Sequence, residues 1–81
     1  LISVYEDIRI PLSRSIDERC WISSPGNYYD KEFCIKMIEV YQERYPASWV
    51  SSYTSDGYWL GIAITFKSDE DEAEFIMKEL T

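Results

Sequence analysis

The spacing of apolar and polar residues divides the chain into five stretches. From Ile2 to Ile10, Ile2, Val4, Ile8 and Ile10 share one face at a period of two, with Glu6 the exception and Tyr5 and Arg9 facing the other way. That alternation predicts a strand, and Pro11 ends it because proline has no N–H to give a ladder. Residues 12–29 carry two competing readings, a short helical turn over Ser15 to Trp21 or a short strand over Arg19 to Ser23. The run Ser23-Ser24-Pro25-Gly26-Asn27 that follows is a turn signal.

Asp30 then stands as an N-cap, and the spacing predicts a helix to about Tyr45. Cys34, Met37, Ile38, Tyr41 and Tyr45 recur at helical intervals as its buried stripe, widened by Phe33 and Val40. Pro46 stops it, since the residue before a proline leaves the helical region. Ala47 to Thr54 and Tyr58 to Phe66 read as a β-hairpin around Ser55-Asp56-Gly57, where Asp-Gly supplies the positive φ of a tight turn. In its second arm Tyr58, Leu60, Ile62, Ile64 and Phe66 share a face, opposite Trp59, Gly61, Ala63 and Thr65. Ser68 caps a last helix, with Asp71 in a near capping box. Ala73, Ile76, Met77 and Leu80 form its expected buried stripe, with Phe75 to one flank.

This order predicts a single α+β domain over residues 1–81. A small antiparallel or mixed sheet of three or four strands carries both helices on one face, ferredoxin-like or a fragment of that arrangement. The first helix then serves as a crossover between strands, right-handed by preference. Eighty-one residues, 46% of them apolar and 16% aromatic, suffice for one small core. The apolar stretches are too short for a membrane span, and no basic start with an apolar core and small-residue cleavage site marks a secretory leader.

Charge changes the picture further. Fifteen acids against eight bases give −7, and residues 68–81, with six acids and one base, hold −5 of it. A negative protein is repelled by phosphate, so direct nucleic-acid binding is not expected; a protein partner with a basic surface is. The plainer reading of the same run is a solvated helix start that complements the helix dipole. Cys20 and Cys34 lack the density of a secreted disulfide framework, which points to a reducing, cytoplasmic setting, with a single bridge between them as the alternative.

Catalytic candidates are thin. Histidine is absent, which removes the commonest general base and metal ligand. The three glycines form no phosphate-binding loop, and the acidic run has no EF-hand spacing. No enzyme activity, cofactor or metal is therefore expected. The aromatics are better placed for contact, because tryptophan and tyrosine combine large area with a polar handle. The candidate partner-binding residues are Trp49, Tyr53 and Trp59 together with Asp69, Glu70, Asp71, Glu72 and Glu74.

Two resemblances add to this. Residues 61–76, a glycine-led strand ending in Phe66 followed by Ser68-Asp69-Glu70-Asp71-Glu72-Ala73, resemble the third strand and second helix of an RNA-recognition motif. Ile62 and Ile64 stand where that family stacks aromatics on bases, and Leu60 replaces its basic residue before the glycine. The stretch from Ile64 to Leu80 also looks like the close of small accessory proteins of large tailed bacteriophages. The latter resemblance implies a viral protein, acting in the host cytoplasm, that binds and inhibits a host protein. The expected function is thus an acidic, non-enzymatic interaction domain that occludes a basic, nucleic-acid-binding surface. The alternatives are a self-associating or structural subunit, using a free sheet edge or the aromatic face, and a divergent RNA-recognition-like domain.

Overall fold

Both helices start on the side chains that the sequence marks. Asp30 Oδ1 accepts the Phe33 N–H (2.7 Å) at the head of α1, Lys31–Arg44. Ser68 Oγ accepts the Asp71 N–H (3.2 Å) and donates to Asp71 Oδ2 (3.0 Å) at the head of α2, Asp69–Glu79. These bonds satisfy donors that a helix start leaves without partners. The computed structural model describes residues 5–23, 29–55 and 59–80, and at 53–55, 59 and 60 the backbone alone. Leu1 to Val4, the turn residues 24–28 and 56–58, and Thr81 lie outside the described residues, so the expectations for Pro25-Gly26, Tyr28, Asp56-Gly57 and Tyr58 do too.

Four strands form one sheet: β1 Leu12–Arg14, β2 Cys20–Ser23, β3 Trp49–Ser55 and β4 Trp59–Thr65, in the order β1-β2-β4-β3, antiparallel throughout. Because β4 runs against both neighbours, β2 and β3 are parallel to each other, and α1 crosses between them over a strand inserted later in the chain. From β2 onward this is the split β-α-β order of a ferredoxin-like sheet. The fourth position is filled from the N-terminal side, by β1.

The described part of the first predicted strand, residues 5–10, is not a strand. The segment is held across α1 by side chains: Arg44 donates to the Glu6 and Ile8 carbonyls (2.8 and 3.3 Å), and the Ile10 N–H donates to Tyr41 Oη (2.9 Å). The alternating isoleucines therefore record packing against a helix, and Ile10 is buried there. The edge strand comes after Pro11, inside the stretch that carried two readings, of which the strand near Arg19 to Ser23 is realised as β2. Between β1 and β2, Arg19 adopts φ 58°, a left-handed conformation that costs a non-glycine residue about 1–2 kcal/mol. Two bonds with Phe66 hold it: the Phe66 N–H reaches the Arg19 carbonyl (3.0 Å), and Arg19 Nε reaches the Phe66 carbonyl (3.2 Å).

The core lies between the sheet and the helices. Cys34, Met37 and Tyr41 of α1, with Tyr45 just after it, are buried as their spacing predicted, over β3 and β4. Trp21, Tyr45, Phe66 and Phe75 form a ring cluster with centroids 5.0–5.9 Å apart. Phe75 anchors α2, and around it the helix departs from expectation. Its buried positions are Glu72 and Phe75, flanked by Ile76 and Glu79, whereas Ala73, Met77 (72% exposed) and Leu80 face outward. The helix is turned by roughly the 100° that one residue adds. The expected stripe counted apolar residues equally, whereas the one aromatic ring of the helix and two carboxylates with cationic partners decide the orientation.

Candidate protein-contact surface

Successive strand residues face opposite sides, so the register sorts the sheet. One row on the helix side runs Arg14, Trp21, Ile64, Val50. A row on the other side runs Cys20, Thr65, Trp49, and its neighbour runs Ser13, Ile22, Ala63, Ser51. Both helices lie opposite this second side, so the small residues Ala63 and Thr65 make room for no described helix. Trp49 is 69% exposed on it. Tyr53, paired with Gly61, and Trp59, paired with Ser55, occupy positions of the same parity, while their side chains lie outside the described residues. Trp49 and Trp59 stand about 20 Å apart along the hairpin at the usual rise per strand residue. Ile62 and Ile64, at the base-stacking positions of the RNA-recognition resemblance, are fully buried on the helix side.

The acidic residues of α2 divide into two groups. Glu72 is buried: its Oε2 accepts the Trp21 indole N–H (2.8 Å) and pairs with Arg14 (3.1 Å). It belongs to the interior, and the expected exposed acidic run loses its fourth member, because an indole N–H under a helix needs an acceptor. Asp69 pairs with Arg19 (3.3 Å) and Glu74 with Lys78 (2.9 Å), both at the surface. Asp71 is half-buried by its capping bonds, and exposed Glu70 has no partner among the described residues. Trp49 pairs with Thr65, four residues before Asp69, so the exposed tryptophan and the acidic start of α2 occupy the same end of the sheet.

At the other end of α2, Glu79 gathers a network that the sequence reading missed. Its side chain is 4% exposed; Arg9 Nε lies 3.3 Å and Arg44 Nη1 3.5 Å from Oε2, the latter an ion pair without hydrogen-bond geometry. Tyr45 donates to Oε2 (2.7 Å) and Tyr41 to Oε1 (3.3 Å). Burial pushes both phenols above their ordinary range, and for Tyr45 the bond to Glu79 and the carboxylate charge push further. Each of the four arginines, Arg9, Arg14, Arg19 and Arg44, thus pairs with a carboxylate of α2. The available signal was Phe75: centring the helix on its largest ring brings Glu72 and Glu79 inward and demands cations beneath them.

Cys20 and Cys34 are both free thiols. Cys34 is buried, and that burial raises its thiol above the usual range. Among the described residues, no group of three or more histidines, cysteines and carboxylates could hold a metal ion, and no helix is long and apolar enough to cross a membrane. No protein-family model, curated protein or solved structure matches the chain.

Proposed function

We propose that this domain is a non-enzymatic protein-interaction module whose partner presents a basic surface. The observation that carries this reading is the exposure of Trp49 on the helix-free side of the sheet, at the same end as Asp69 and Glu70. A large ring anchors and nearby charge steers: aromatic residues dominate contact energies, and opposite fields raise association rates. The net charge of −7 favours the same class of partner and disfavours nucleic acid. The phage resemblance extends the proposal to a host protein in the host cytoplasm, inhibited by occlusion of its nucleic-acid-binding surface. Glu72 has no part in this, since its carboxylate serves Trp21 and Arg14.

The test is affinity capture from native cell extract with three baits, the natural chain, Trp49→Ala and Asp69→Lys/Glu70→Lys, each washed at rising salt and checked for folding by circular dichroism. The expected result is a protein held by the first bait alone and released as salt rises, then confirmed with purified partner. Equal capture by all three folded baits would contradict the proposal. The second reading, self-association, is favoured by the exposed Met77 and Leu80 on α2 and by β3 lying at a sheet edge. Sedimentation over a hundredfold concentration range separates the two, because a strict monomer rules out assembly of copies.

A further inference from the structure

We infer that a groove between the α1–β3 turn and the first half of α2 receives a cationic side chain, arginine or lysine, from the protein partner. The inference rests on the interaction reading above and names where on this end of the molecule a basic surface would engage. The groove encloses about 200 Å³. Tyr45 and Phe66, both buried, contribute apolar floor, and Pro46 and Ala47 form one wall. Asp71 and Glu74 stand on the other.

The shape and chemistry select the occupant. Pockets that take small organic ligands run from about 300 Å³ upward, so this one is sized for a single side chain. Its lining pairs an apolar strip with two carboxylates, which matches an aliphatic stem that ends in a cation. Anions are disfavoured by the same carboxylates. Arg44 also lines the groove; its charge is paired with Glu79 and its Nη2 bonds the Glu6 and Ile8 carbonyls, while Nη1 is buried without a hydrogen bond. Asp71 spends one oxygen on Ser68, and Oδ1 has no partner among the described residues. Glu74 pairs with Lys78 one helical turn on, and the Lys78 ammonium also lies 5.7 Å from the centre of the Tyr45 ring; the pair is exposed at both ends, so an incoming guanidinium competes with Lys78 for the same carboxylate and ring. Ser48 lines the groove and precedes Trp49 in the chain, so the groove lies at the same end of the molecule as the exposed ring, which faces the helix-free side.

The test uses n-butylguanidinium, n-butylammonium and the neutral isostere n-butylurea as probes, titrated into isotope-labelled protein and followed by amide shifts. Saturable shifts at Ala47, Ser48, Asp71 and Glu74 are expected from both cations. The urea should bind about tenfold more weakly, the ratio given by about 1.4 kcal/mol of electrostatic attraction. Asp71→Asn/Glu74→Gln keeps the cap acceptor and should remove that ratio, and Ala47→Phe should block all three probes. Equal binding of urea and cations, shifts elsewhere, or no shifts would each overturn the inference. With the captured partner in hand, loss of binding in Trp49→Ala but not in Asp71→Asn/Glu74→Gln would overturn the groove while leaving the wider reading intact.

Discussion

The two helices are alike in length of signal and in their caps, yet they bury different kinds of face. α1 lies over β3 and β4 and buries Cys34, Met37 and Tyr41 against Val50, Ile62 and Ile64. α2 buries one ring, Phe75, between two carboxylates, because what lies beneath it is the Trp21 indole and the guanidinium groups of Arg9, Arg14 and Arg44. A helix turns toward the surface that complements it, and that surface need not be apolar. The consequence for function is direct. Two of the six acids in this segment, Glu72 and Glu79, hold the fold together, and Asp69, Glu70, Asp71 and Glu74 remain for a partner.

The comparison can be broken or sharpened by substitution. Phe75→Ala should have the largest effect, about 3–5 kcal/mol in urea unfolding, since it empties the ring cluster shared by Trp21, Tyr45 and Phe66. Glu72→Ala should cost about 1–3 kcal/mol by leaving the Trp21 N–H without an acceptor, and Glu72→Gln should restore most of it. Equal losses from both variants would mean that the charge on Arg14 matters more than the indole bond.

Alkaline pH supplies a third test. Tyr41 and Tyr45 are held above the ordinary tyrosine value of 10.0, chiefly by burial, so above that pH the folded chain keeps protons that the unfolded chain loses. Their contribution is complete below about pH 10 and is lost as pH rises beyond it. The urea midpoint should therefore fall between about pH 9.5 and 11, and a flat midpoint would place the phenols in water. The smallest effects belong to the caps, where the helices should agree: Asp30→Ala and Ser68→Ala should each cost about 1 kcal/mol.

Much of the architecture was legible in the chain. The caps at Asp30 and Ser68, the α1 stripe and the hairpin arms follow from local rules, because each depends on residues close in sequence. The N-terminal segment misled because Ile8 and Ile10 alternate as a strand would, while Arg44 and Tyr41, more than thirty positions away, hold their backbone. The α2 face misled for the same reason: the partners of Glu72 and Glu79 come from β1, β2, α1 and the N-terminal segment, and no local window contains them. Of the candidate contact residues, Trp49, Asp69, Glu70 and Glu74 are exposed, Asp71 is half-buried, Glu72 is interior, and Tyr53 and Trp59 are placed by backbone register alone.

The orientation of α2 is tested most directly by comparing the urea stability of two variants, Glu79→Leu and Met77→Gln/Leu80→Gln. If the carboxylate faces the arginines, adding leucine at position 79 leaves Arg44 without its counter-charge and costs about 3 kcal/mol, whereas the double glutamine change stays within about 1 kcal/mol of the natural chain. The opposite pattern, a tolerated leucine and a collapsed glutamine pair, would put Met77 and Leu80 in the core and contradict the account.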